Sequence, residues 1–565
     1  MTVFAGIIKK DGNTIGDEES LEFKACLERV SKKVISFEFK EGSKYLLTIN
    51  FSKEKNYLTG QNGCTSIVSG APILTSSNSL YDALSELNCV NSRDELENTL
   101  GLARGVFSGV SIDRKNSKTY VYTDKLGVRP VYYYDFNGHI IFSSLLSFLE
   151  ELPTANLAID ESGVAELVSF GYCLSNRTQY RYIKRLDAGQ YLDITDDYED
   201  VLVNNYWDYS SIPVKESLQD IDVKELYEIF IEAIKVRIDA DKPAVAFLSG
   251  GLDSRALTSC LSKYTKDIST FNFGTQKSQD NDYAKQYAIK ARFNHHEIIL
   301  PKLKFPNWSK LISESLDEKT DSKFNNLHKV VWSGDGGSVS LGGVYIDDKL
   351  IKSLKNRDEK ESISSFLSQL NGAFPEKLFQ KRQLRRFKGK VEIGTRNELQ
   401  SYPQDTTKAI YHFLMRNDQK RHLELHFETI CQHEVELELP FFDSVFIEKL
   451  YSLPAKELMY HKLYMDWFKN CPEFSRLTPW QTYPGHIPCP IESKTELSYQ
   501  WDNGPINKAE LKEIFSDYLS LLNSTAFDYI DKAKSFFFMG AHRLGLGNYS
   551  YIMNVINRLN KIKNK

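Results

Sequence analysis

The stretch Ala244-Val245-Ala246-Phe247-Leu248-Ser249-Gly250-Gly251-Leu252-Asp253-Ser254-Arg255 decides the fold. Its first five residues are small or apolar and read as a buried strand, and helical periodicity runs from Arg255 to Tyr264. Between them, two glycines permit a sharp turn whose successive N–H groups converge on one centre. The positive end of the following helix reinforces that centre, which suits a phosphate. Asp253 adds a carboxylate suited to magnesium. The turn is not a Gly-x-x-x-x-Gly-Lys-Ser/Thr loop, so it is not the type that presents a γ-phosphate for transfer.

Outward from this turn, strand and helix alternate. A helix from Val223 to Ile238 precedes it. A strand Ile268 to Phe273, a helix Tyr283 to Phe293, a strand Glu297 to Leu300 and a strand around Val330-Val331-Trp332 follow. Alternation predicts a doubly wound parallel sheet, with ligands at the carboxyl ends of its strands where strand order reverses. Two further strand ends fit that position. Phe271-Asn272-Phe273-Gly274 offers Phe273 as a wall for a flat ring, and Trp332-Ser333-Gly334-Asp335-Gly336-Gly337 is a second glycine-rich turn carrying an acid.

Upstream, Met1 to about Val203 is β-rich, with short runs such as Tyr45 to Ile49 bounded by Gly, Asn and Asp turns, and helix is sparse, around Leu80 to Leu87. Stacked antiparallel sheets are expected there. One hairpin stands out: Val131 to Tyr134 and His139 to Phe142 flank Asp135-Phe136-Asn137-Gly138, a short Asn-Gly turn. Pattern dissolves between Trp207 and Asp222, a linker. From Ser353 onward helices dominate, with a basic run Lys381 to Arg386 that reads as a solvated helix face, and three helical stretches follow Ala509. No internal repeat is visible.

Composition bounds the function classes. The 565 residues are 41% hydrophobic and 26% charged, with a net charge of −4, so they build several globular domains and create no whole-protein field for nucleic acid. The basic end, Asn557 to Lys565, reads as a solvated helix terminus. Eight cysteines without a CxxC pair fit reduced thiols. No apolar run approaches the roughly 20 residues of a membrane span, and no signal-peptide core is visible. A soluble, cytoplasmic protein with neither nucleic-acid nor membrane partners is expected, its oligomeric state open to self-association.

Together these segments resemble the asparagine synthetase family. Met1-Thr2-Val3-Phe4-Ala5-Gly6-Ile7 is similar to that family's N-terminus, as is Asp124-Lys125-Leu126-Gly127-Val128-Arg129-Pro130 to its Asp-Arg-Leu-Gly-Ile-Arg/Lys-Pro. Arg185 to Gly189, Tyr206-Trp207, and Val435-Glu436-Leu437-Glu438-Leu439-Pro440-Phe441-Phe442-Asp443 match later markers in order. The resemblance implies an amidotransferase-like domain (1–208) of stacked antiparallel sheets, related to N-terminal-nucleophile hydrolases. It further implies a linker (209–222), an ATP-pyrophosphatase domain (223–505) of the adenine nucleotide α-hydrolase type, and a helical extension (506–565). It also implies ATP held by Leu248, Ser249, Gly250, Gly251, Asp253, Ser254, Phe273, Ser333 and Gly334, Mg²⁺ on Asp253 with Asp335, and catalytic roles for Asp335, Lys462 and Glu436.

Departures from the family pattern matter as much. Thr2 stands where the family has its glutaminase cysteine, Ser69-Gly70-Ala71 replaces its Asn-Gly-Glu, and Ala103 replaces an Asp. A retired glutaminase is expected, with an N-terminal threonine nucleophile as the alternative. Ser338 replaces a second magnesium carboxylate. The expected reaction adenylates a small-molecule or peptide carboxylate, releases pyrophosphate, and passes the acyl group to ammonia or a substrate amine. Asparagine formation from ammonia and a retired nucleotide-binding protein stay open as alternatives. Specificity is expected from the helices beyond Ser353.

Overall fold

The computed structural model describes the chain except residues 1, 53–54, 61–62, 75–79, 91, 196–200, 240–241, 301–306, 319–328, 356–358, 403–404, 419, 493–496, 498–507 and 564–565. The domain boundary expected after residue 505, the initiator Met1 and the last two residues of the basic tail therefore lie outside the described residues.

The N-terminal strands form two antiparallel sheets. In one, Thr2–Lys9 pairs with Lys44–Asn50 on one side and His139–Ser143 on the other. In the second, Cys64–Gly70, Phe107–Asp113, Lys118–Thr123 and Gln190–Thr195 follow one another across the sheet. Alternation places Phe4, Ile8, Leu46 and Phe142 from the first sheet against Ile67, Val110, Val121 and Leu192 from the second, forming one buried cluster. The expected hairpin is present: Tyr132–Phe136 and His139–Ser143 pair across a two-residue turn, with φ of 51° at Asn137 and 76° at Gly138. Positive φ at both positions is the primed turn that matches strand twist. Helix is more abundant here than the sequence reading expected, with Asp17–Ser31, Arg93–Leu102 and Leu146–Glu151 besides Leu80–Asn88.

The parallel sheet has five strands in the spatial order Asn294–Leu300, Ile268–Thr275, Ala244–Phe247, Lys329–Trp332, Val435–Glu438. Order reverses beside Ala244–Phe247, so the turns after Phe247 and after Trp332 sit at the switch point. The helix after the first turn spans Leu252–Leu261, starting three residues earlier than its periodicity suggested.

Backbone contacts divide the chain into two compact units. One, residues 1–155, 185–344 and 422–500, holds the two antiparallel sheets and the parallel sheet. The other, residues 156–184, 345–421 and 501–565, is helical. Within it, the carboxylate of fully buried Glu166 is held by Arg177 at 2.7 Å, and Arg558 donates to the carbonyls of Val168 and Ser169. The basic run Lys381–Arg386 forms a short helix here, with Arg386 bonded to Glu161.

Candidate active site

The turn after Ala244–Phe247 is fixed from all sides. Leu248 continues the strand ladder to the Phe271 carbonyl and accepts a bond from Asn272 Nδ2 at 2.8 Å. The Ser249 N–H donates to Ser254 Oγ at 2.9 Å, and the Gly251 N–H to Ser249 Oγ at 3.2 Å. The Gly250 N–H is not aimed at an open centre. It donates to Asp280 Oδ1 at 2.9 Å, while the Gly250 carbonyl accepts from the Gln481 N–H. A Cβ at Gly250 would lie 2.7 Å from Asp280 Cα, so glycine is required for this approach.

Asp280 opens the helix Gln279–Ala291 and escaped the sequence reading. Burial raises its pKa to about 6 despite bonds from Asn272 and the Gly250 N–H. Its signal was an acid just past a strand-ending turn, in Ser278-Gln279-Asp280, but nothing in those residues says which loop they meet.

Asp253, in the first turn of the following helix, is half-buried with both carboxylate oxygens engaged. Its Oδ1 accepts from Ser338 Oγ and from the Tyr464 hydroxyl, both at 2.7 Å, and its Oδ2 from the Ser338 N–H at 2.8 Å. Burial raises its pKa to about 6, the three donors oppose the rise, and Asp335 adds to it. The second turn packs directly on the first, since a Cβ at Gly334 would lie 2.7 Å from the Ser254 nitrogen and one at Gly337 2.7 Å from Asp253 Cγ. Ser333 Oγ donates to Asp335 Oδ2 at 2.8 Å, and the Ser333 N–H to the Glu438 carbonyl. The predicted residues Ser249, Gly250, Gly251, Asp253, Ser254, Ser333, Gly334 and Asp335 thus converge.

A magnesium ion fits this donor set. Asp253 spends three of roughly four carboxylate lone-pair directions on donors, Asp335 lies within electrostatic reach, and one or two carboxylates with phosphates and water suffice for Mg²⁺. Ser338 bonds Asp253 through both its hydroxyl and its N–H and supplies no charge.

The remaining predicted residues sit differently. Lys462 is the exposed first residue of the helix Lys462–Phe468, the helix that carries Tyr464. Two left-handed residues, Tyr460 and His461, set its start, and His461 bonds His486. Phe273 is buried against Phe247 and Trp308, so its ring lies within the core. Glu436 lies on the edge strand in register with Val330, two residues before the strand's carboxyl end, and is ion-paired with buried Arg129. Its other oxygen, Oε2, is buried without a hydrogen-bond partner among the described residues.

That pairing belongs to a series. Basic side chains of the N-terminal sheets and helices meet acids from one short stretch: Lys33 with Glu434, Arg129 with Glu436, Arg104 with Asp443, and Lys125 with Glu448. Asp443 is wholly buried, also pairs with Arg237 at 2.8 Å, and caps the helix Ser444–Tyr451. Burial opposes its charge, but Arg237 and Arg104 hold its pKa below the ordinary value. Glu438, in the same stretch, is driven by burial up to about 7. At the other end, Thr2 is buried, its Oγ1 has no hydrogen-bond partner among the described residues, and its carbonyl accepts from Ser69.

Comparison with known proteins agrees with this geometry. The family model described as asparagine synthase matches residues 225–464, and that described as glutamine amidotransferase domain matches residues 92–207, a span without Thr2. A Methanocaldococcus jannaschii protein named as glutamine-hydrolyzing asparagine synthetase 2 is 29% identical over 42% of this chain and 49% of its own length. The glutamine-hydrolyzing asparagine synthetase 1 of Bacillus subtilis is 25% identical over 45% of this chain and 37% of its own. The matched region thus spans half or less of these relatives. The two domains, in this order, with the Ser249–Ser254 turn inside the matched region, place the chain in the asparagine synthetase family.

Proposed function

We propose that the chain is an AMP-forming amide ligase that adenylates a carboxylate and transfers the acyl group to ammonia or to an amino group of the substrate, not to nitrogen from glutamine. The family is one of ATP-dependent amide ligases. The observation that carries the proposal is the convergence of the Ser249–Ser254 turn with Ser333–Asp335 at the switch point, with Asp253 held by Ser338 between them. Asp253 and Asp335 are the residues to hold Mg²⁺, which when bound offsets triphosphate charge. Lys462, exposed at the start of the helix whose Tyr464 bonds Asp253, is assigned in this proposal to meet charge developing on a departing pyrophosphate. Glu436, held by Arg129 with one oxygen unpartnered, is a base for the attacking amine.

The exclusion of glutamine rests on three changed positions taken together: Thr2, Ser69-Gly70-Ala71 and Ala103 stand where the family pattern has a cysteine, Asn-Gly-Glu and an Asp. Incubating the purified chain with ATP, Mg²⁺, ammonium and a panel of carboxylates should yield AMP and pyrophosphate with one class of them. Glutamine should release no glutamate. ADP in place of AMP would overturn the adenylation, and glutamate release would overturn the assigned donor. The second reading, a retired nucleotide-binding protein, is favoured by Ser338, which bonds Asp253 where a carboxylate would otherwise stand. It predicts ATP binding without AMP formation on any carboxylate.

A further inference from the structure

Arg255 carries a charge that the fold buries without an acid. It lies on the helix Leu252–Leu261, wholly excluded from solvent, and among the described residues no carboxylate pairs with it. Burial lowers its pKa to about 10, so the group stays protonated at neutral pH. A guanidinium in such surroundings is costly unless its donors are used. They are used on backbone. Nη1 donates to the Thr478 carbonyl at 2.8 Å and to the Ser475 carbonyl at 3.3 Å, and Nη2 to the Pro479 carbonyl at 2.7 Å. The planar fork thus binds one segment of chain, residues 475–479, at three points.

That segment and a neighbouring helix deliver the two groups that grip Gly250. Just past Pro479, the Gln481 N–H donates to the Gly250 carbonyl at 2.9 Å. From the other side, Asp280 Oδ1 accepts from the Gly250 N–H. Asp280 shares a face of the helix Gln279–Ala291 with Tyr287. The Arg255 guanidinium lies over the Tyr287 ring, 4.9 Å from its centroid, and the Tyr287 hydroxyl donates to the Arg255 carbonyl at 3.1 Å. Arg255 therefore joins the helix that follows the turn to both elements that hold Gly250.

We propose that Arg255 is a positioning residue for ATP: by tying residues 475–479 and Tyr287 to the helix after the turn, it fixes the Gly250 backbone from both sides and keeps the turn in the shape that receives phosphates. It touches no substrate itself. The inference rests on reading the Ser249–Ser254 turn as the phosphate site.

The test is isothermal titration of ATP, with Mg²⁺, into the full chain and its variants. Arg255→Met keeps an unbranched apolar stem and removes the fork, whereas Gln481→Pro keeps Arg255 and removes the N–H on Gly250. Each should weaken ATP binding by about tenfold or more, because the turn is no longer preorganised. Arg255→Lys, a point charge that cannot span three carbonyls, should fall between wild type and Arg255→Met. Packing alone would move the urea midpoint of Arg255→Met and leave the ATP affinity of the folded protein as it was. Hydrogen exchange read by mass spectrometry adds a direct observation: peptides covering 478–481 should exchange faster in Arg255→Met. ATP affinity unchanged in both Arg255→Met and Gln481→Pro overturns the inference and leaves the phosphate site standing. So does an affinity loss in Arg255→Met with exchange across 478–481 unchanged. If Arg255→Met does not fold, Gln481→Pro decides by the same affinity criterion. A wild-type chain that binds no ATP removes the phosphate reading of the turn and this inference with it.

Discussion

Replacing Asp253 by asparagine separates what this carboxylate does for the fold from what it does for the reaction. Burial holds its pKa at about 6, against 3.8 for an ordinary aspartate. A carboxyl with a raised pKa binds its proton more tightly when folded. It therefore costs nothing below pH 3.8, and its penalty grows as pH rises from 3.8 to about 6 and is constant above. The interval corresponds to about 3 kcal/mol. Asparagine avoids that charge and still satisfies its neighbours. With its amide oxygen on the Ser338 N–H, its NH₂ donates to the Ser338 and Tyr464 hydroxyls, which rotate to accept. Urea unfolding of wild type and Asp253→Asn, compared at pH 4 and pH 7.5, should coincide at the lower pH. At the higher pH the variant should be more stable, by up to about 3 kcal/mol, while losing turnover. A stability difference independent of pH, or a variant less stable at pH 7.5, would refute the account of a buried, ionised carboxylate held without a counter-cation.

Three further outcomes follow from neighbouring contacts. Ser338→Asp places a second carboxylate against Asp253 and should destabilise the ligand-free protein by about 3 kcal/mol or more, with Mg²⁺ and ATP together recovering much of the loss in thermal melts. Asp443→Ala takes from half-buried Arg104 its acid, leaves Arg237 only Glu438 at 3.6 Å, and removes a helix cap, for a loss of about 3–5 kcal/mol plus about 1 kcal/mol for the cap. Denaturant unfolding followed by tryptophan fluorescence reads it. Lys462→Ala, at an exposed position, should leave stability within about 0.5 kcal/mol yet lower the rate of AMP formation by about 100-fold or more.

The Ser249–Ser254 turn was legible because its strand, glycines and helix are contiguous, and the Asn137-Gly138 hairpin was legible for the same reason. What the site borrows from afar was not. Asp280 reaches Gly250 across 30 positions, Tyr464 reaches Asp253 across 211, and Arg129 reaches Glu436 across 307. Local pattern carries no trace of such pairings. The strand Val435–Glu438 was read as a family marker rather than a strand, because four alternating residues are too few to declare a period. Phe273 was read as a ligand wall because strand ends face the crevice, but side chains alternate along a strand and this one packs inward on Trp308. The helices Asp17–Ser31 and Arg93–Leu102 have weak apolar periodicity and were lost among turn-rich strands.

The adenylation claim at the centre of this account is tested most directly by exchange of labelled pyrophosphate into ATP, with a panel of carboxylates and the Asp253→Ala variant as control. The account predicts exchange that depends on one class of carboxylate, needs no amine and disappears in the variant. ATP bound with measurable affinity but no exchange on any carboxylate, while AMP formation is likewise absent, would contradict it.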